Sequence, residues 1–182
     1  MLAESFQTRT VVNNVRGKKE KMTKTNTVAT SSVSADVAAG VAQFLSPVVL
    51  DLQALVINGK QAHWHVRGHN FIGIHELFDT VVANAQDWSD LAAERIIALG
   101  LPVDARLSTV AAKASNPELT AGFVQSDQSI AEVIAQIDAA SASLRIAIDE
   151  LGEIDPSSQD VAIEIARGLD KDRWFLVAHL SK

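Results

Sequence analysis

The chain has no cysteine, which excludes disulfides, thiolate metal sites and thiol catalysis and leaves imidazole and carboxylate as the groups able to hold a metal. That absence is compatible with a reducing cytoplasm. No run of eighteen apolar residues occurs, and the first thirty residues lack the apolar centre of a signal peptide, so neither a membrane span nor export is indicated. Internal repeats, a phosphate-binding glycine loop and a nucleophile elbow are missing too. What is present is 182 residues, 47% of them hydrophobic, enough for one domain with a sizeable core.

Four of the five histidines fall between His63 and Glu94, and this stretch organises the reading. From Gly73 to Leu99 there is no proline or internal glycine, and Leu77, Val81, Ala85, Trp88 and Ala92 recur at the spacing of one helical face. The stretch is expected to be one long helix. At about 100° per residue, His75, Asp79, Asp90 and Glu94 gather on its opposite side. His75/Asp79 and Asp90/Glu94 are both i, i+4 pairs of the residue types that hard and borderline metals take, so each pair can converge on one ion. The two pairs cannot share an ion within one chain, because eleven residues of helix between Asp79 and Asp90 span about 16 Å.

An antiparallel copy of the helix about a twofold axis would bring the His75/Asp79 end of one chain to the Asp90/Glu94 end of the other, twice per dimer. Ala83, Gln86 and Ala93, on the same face, are small or uncharged and suit close contact. The plain alternative is a solvated charged face with a stray histidine, and periodicity alone leaves it open.

Elsewhere the pattern is also helical. Ser34 reads as the N-cap of a first helix over about 35–66, with Val41, Phe44, Leu45, Val48, Leu52, Leu55 and Val56 as its apolar stripe. Pro47 is expected to kink it near Phe44 unless the helix begins effectively later. Gly100 ends the second helix as a C′ residue, and a long connection to about Ser126 holds a short helix near 107–114. A third helix over about 127–151 places Ile130, Val133, Ile134, Ile137 and Leu144 inward, capped by Ser126 or Asp127. Asp155-Pro156 opens a fourth that runs to about Leu180. Such a long crossover lets consecutive helices run parallel.

The run Gly59-Lys60-Gln61-Ala62-His63-Trp64, then His75-Glu76-Leu77-Phe78-Asp79, then Asp90-Leu91-Ala92-Ala93-Glu94-Arg95 resembles the signature of the Dps mini-ferritins. The similarity extends through Leu169-Asp170-Lys171 and Trp174-Phe175 and covers roughly residues 35–180. It implies an all-α, ferritin-like four-helix bundle with a long crossover between the second and third helices, assembled into a hollow dodecamer from twofold dimers. It also implies a cytoplasmic ferroxidase that oxidises Fe(II), preferably with hydrogen peroxide, and stores ferric mineral. Carried over by position, His63, His75 and Asp79 of one subunit and Asp90 and Glu94 of its mate are the iron ligands and the catalytic residues. The position after Trp64, often asparagine in the family, is His65 here. Glu76 is expected beside the ligands without binding metal, Trp64 and Trp88 are expected as packing or radical-intercepting neighbours, and Arg95 as a residue whose burial needs a carboxylate partner.

Residues 1–34 are polar and carry Arg9, Arg16, Lys18, Lys19, Lys21 and Lys24 against Glu4 and Glu20, formally +4, leaving −10 for the rest. Such a tail, separate from the domain at 35–182, would bind DNA without sequence preference, many tails on one shell acting together; an ordinary tail without a partner is the alternative. Lys18-Lys19-Glu20-Lys21 ahead of Met22 also fits a translated ribosome-binding site with Met22 as the start. Glu153, Asp155, Asp160 and Glu164, repeated around a threefold axis, would line a negative pore for Fe²⁺, Asp160 matching the family best; helix-dipole placement accounts for them equally in one subunit.

Three other function classes compete with this reading, and the first lacks its motif. A di-iron site inside the bundle itself would need Glu-x-x-His motifs, and none occurs. A metal-dependent amide or ester hydrolase would use the same inter-subunit His/carboxylate site to activate water. A purely DNA-compacting protein would need no metal site.

Overall fold

A computed structural model describes residues 31–180. Four long helices, α1 (Ala35–His65), α2 (Phe71–Ala98), α4 (Ser126–Ile154) and α5 (Pro156–Leu180), form the bundle, and the short α3 (Leu107–Lys113) sits in the crossover. Helix α1 packs between α2 and α4, and α5 joins α4 to α2. Two-residue strands β1 (Val66–Arg67) and β2 (Val124–Gln125) pair in parallel, with Val66 opposite Val124. The pairing fastens the end of α1 beside the start of α4, so α2 and α4 both start at that end and run in the same direction, as a long crossover permits.

The apolar stripes account for the core. Val41, Leu45, Val48, Leu52 and Leu55 of α1 are fully buried, and Ile130, Val133, Ile137 and Leu144 of α4 face them. On α2 the buried line is Ile74, Phe78, Val81, Ala85, Ser89, Ala92 and Ile96, so two residues expected inward are displaced: Leu77 and Trp88 pack half-buried at its edge. Each lies within one residue of a core position, Phe78 or Ser89, and a 100° step per residue carries it off the core-facing line. Ser89 is small enough to be buried and accepts a 2.8 Å hydrogen bond from Gln53 Nε2.

Helix α1 runs unbroken through Pro47, although proline has no N–H to offer the Gln43 carbonyl. By length and composition α1 is apolar enough to cross a membrane, and half of its most apolar window is buried inside the bundle. Its apolar side is therefore used by the core. Ser34 caps it, its hydroxyl accepting from the Val37 N–H at 3.3 Å. Gly100 follows the C-cap of α2 with φ +87°, as expected of a C′ residue, while α4 starts at Ser126 itself and its N-cap is Gln125, not Ser126 or Asp127 as expected.

Polar groups pin the crossover where apolar contact is thin. Asp51, 2% exposed on α1, accepts from the Ser115 N–H at 2.7 Å, the Ser115 hydroxyl at 2.9 Å and the Ser143 hydroxyl at 2.6 Å. One carboxylate thus ties α1, the crossover and α4 together. Gln136 Nε2 donates to the Pro117 carbonyl at 2.7 Å, while its oxygen accepts from Asn58 at 2.8 Å.

Candidate metal centre

Helices α1 and α2 meet closely at Gly59, one turn before His63. A Cβ there would stand 2.8 Å from Val82 Cγ2, so a larger residue would press on α2 two turns beyond His75.

The two imidazoles are held by a reciprocal exchange. His63 Nδ1 lies 2.7 Å from the His75 carbonyl oxygen, and His75 Nδ1 lies 2.9 Å from the His63 carbonyl oxygen. A carbonyl only accepts, so both Nδ1 atoms must carry hydrogen and donate. The His63 carbonyl is among the last four of α1, which lack partners within a helix, so the His75 ring satisfies an acceptor the helix leaves open. The rings stack with centroids 3.6 Å apart and planes 22° from parallel. In the neutral rings, both Nε2 atoms then keep a lone pair, and the backbone has fixed the tautomer that presents it to a metal.

Asp79, one helical turn beyond His75, is exposed, and its Oδ1 lies 3.4 Å from His63 Nδ1. Lys60 Nζ is in contact with the same oxygen. That hydrogen bond holds the Asp79 carboxyl below the usual carboxylate range, against a smaller opposing effect of burial and with help from His63. Lys60, to which its sequence context gave no role, thus stands at the candidate site. Its signal was its place on the α1 face, one turn before His63.

Asp90 and Glu94 lie further along α2, both exposed, on the face shared with Ala83, Gln86 and Ala93. Among the described residues no three histidine or carboxylate side chains converge into a group able to hold a metal. The donors a single chain brings together are the two imidazoles and, turned to Lys60, Asp79. This set suits a borderline cation but leaves it short of ligands.

The other expected residues fall as follows. Trp64, beside His63, is 62% exposed. Trp88 fits against Gly168 of α5, where a Cβ would stand 2.6 Å from the indole Cε2 and nearer still to Cζ2. Glu76 borders an open groove of about 460 Å³ with Leu77, Thr80, Trp174 and His179. Arg95 has its carboxylate: Nη2 donates to Asp155 Oδ2 at 2.6 Å and Nε to the Ser158 hydroxyl at 2.8 Å. Burial pushes the Asp155 carboxyl up, and the Ser158 and Arg95 hydrogen bonds outweigh that and hold it down. Asp155 thus serves Arg95 within its own chain, while Glu153, Asp160 and Glu164 are exposed. Arg9, Arg16, Lys18, Lys19, Lys21 and Lys24 lie outside the described residues, as does Met22.

Residues 45–182 match the ferritin-like domain family, which defines the class of the bundle. The Dps of Microbacterium arborescens, in its high-iron form, is 60% identical and superimposes with a TM-score of 0.81 over 84% of this chain and 99% of that one. The DNA protection during starvation protein of Agrobacterium fabrum is 33% identical over 135 residues, 74% of this chain and 82% of its own. Its counterpart in Mycolicibacterium smegmatis is 31% identical over 157 residues, 79% of this chain and 78% of its own. The chain belongs to the Dps family of ferritin-like proteins.

Proposed function

We infer that this protein is a ferroxidase and iron-storage mini-ferritin, active as a hollow dodecamer in the cytoplasm, where it protects DNA from oxidative damage. The observation that carries the reading is the reciprocal exchange between His63 and His75, which aligns two metal-ready imidazoles beside the Asp79 carboxylate. Asp90 and Glu94 of the twofold mate complete the set, since about 16 Å of helix keeps a chain's own Asp90 from its own Asp79. The high-iron form of the Microbacterium arborescens relative supports iron as the metal.

Fe²⁺ is the substrate. His63, His75 and Asp79 orient it from one side, the mate's carboxylates neutralise its charge from the other, and so few protein ligands leave positions open for the oxidant. Two ferrous ions give one electron each to hydrogen peroxide, whose O–O bond breaks and takes up two protons to leave two waters. No hydroxyl radical leaves the site, and the ferric product moves to the cavity. Glu153, Asp160 and Glu164 draw Fe²⁺ towards a threefold opening, a role for which Asp155 is less suited because Arg95 neutralises it.

The test is Fe²⁺ oxidation by peroxide in the assembled protein. His63→Ala should lower the rate by at least about tenfold, the scale on which losing a metal-positioning group acts, with the assembly unchanged on size exclusion. A fully active lone subunit would sink the reading. Amide or ester cleavage with Zn²⁺ in place of iron, lost in the same variant, would favour the hydrolase instead. DNA retention is separable: removing residues 1–34 should abolish retardation of DNA at low salt while leaving iron oxidation intact.

A further inference from the structure

Lys60 has no role in the ligand set, yet it occupies one of its members. Its ammonium sits on Asp79 Oδ1, the carboxylate oxygen that also lies 3.4 Å from His63 Nδ1. Helix α1 fixes this placement, since Lys60 and His63 are one turn apart and both face α2. Within the single subunit both partners are exposed, with side-chain exposures of 36% and 48%, so the pair is not locked in place by the chain's own core.

We propose that Lys60 is a displaceable internal cation, which holds the Asp79 carboxylate until a divalent ion takes its place and thereby sets the metal affinity of that end of the site. The proposal rests on the metal-site reading above. A carboxylate facing two imidazoles and the mate's acids would be repelled by those acids while the site is empty, and the ammonium removes that repulsion. A divalent ion brings twice the charge of the ammonium and also takes imidazole lone pairs, which Lys60, a pure donor, cannot use. A monovalent ion has neither advantage. Lys60 therefore acts as a threshold: it keeps the site folded when empty and weakens metal binding by the strength of its own ion pair.

The test is calorimetric titration of redox-inert Zn²⁺ into the assembled full chain, with size exclusion confirming each assembly. Lys60→Gln and Lys60→Met, the second keeping the aliphatic stem for packing, should each bind zinc about two- to fivefold more tightly, the range of an exposed ion pair. In an Asp79→Asn background the same Lys60 substitutions should change nothing further. A lysine that only props the helices would give the opposite sign, because its loss would loosen the site and weaken zinc. Unchanged or weakened zinc binding in both Lys60 variants, with His63→Ala still reducing it, overturns the role of Lys60 alone. Zinc binding indifferent to His63→Ala overturns the site reading and this proposal with it.

Discussion

At the scale of single residues, Gly168 and Asp172 show why burial has to be known before a substitution can be judged. Alanine in a helix interior normally stabilises over glycine by about 1 kcal/mol, but at position 168 its Cβ would overlap the Trp88 indole. Gly168→Ala should therefore destabilise by about 1–3 kcal/mol, as overpacking does, read from the urea midpoint. Asp172 is buried on α5, and both its oxygens lie 3.0 Å from Asn84 Nδ2. Desolvation pushes its carboxyl up from 3.8, against the Asn84 hydrogen bond. A carboxyl raised on folding contributes stability that is complete below the unfolded pKa and is lost as pH rises through the folded value. Asp172→Asn should therefore gain stability relative to wild type between pH 4 and neutrality, with little difference at pH 4. Parallel stability curves across that range would contradict this.

At the scale of elements, the crossover is the part least able to hold itself. Helix α3 has seven residues, too few to be stable alone, and its only buried residue is Val110. Asp51 supplies what packing does not. Asp51→Ala removes three acceptor contacts of a charged group and leaves the Ser115 N–H to find water, a loss of about 2–4 kcal/mol. Hydrogen exchange should accelerate over residues 101–125 first and leave α4 and α5 nearly unchanged.

Helix positions were legible in the chain because apolar period, caps and breakers are local: Ser34, Gly100 and Asp155-Pro156 all sit at helix ends as expected. The phase of α2 was legible only to within a residue, so Leu77 and Trp88 were assigned inward ahead of Ile74, Phe78 and Ser89. The parallel pairing of β1 with β2 had no signature at all, since two residues carry no periodicity.

At the scale of the whole molecule, the central claim is that a site belongs to two chains. Shells assembled from equal amounts of two inactive variants test it: His63→Ala/His75→Ala, and Asp90→Ala/Glu94→Ala. Random pairing about the twofold leaves about a quarter of the sites with intact donors from both sides. Peroxide-driven iron oxidation should return to about that fraction of wild type, while the two homogeneous preparations remain inactive when mixed after assembly. A single-chain site would give no recovery in either case.

Which residues share a helix face could be read from their spacing alone, because a rise of 1.5 Å and a turn of 100° per residue are fixed by the backbone. That spacing paired His75 with Asp79 and Asp90 with Glu94, and showed that one helix separates the pairs too widely for one ion. What those side chains meet emerged with the packed fold. The hydrogen that each of His63 and His75 gives to the other's carbonyl, the ammonium on Asp79 and the carboxylate beneath Arg95 all join residues distant in the chain. Such contacts depend on how closely two helices approach and at what rotation, quantities that are set when the core closes around Phe78 and Leu52 and that no local pattern encodes.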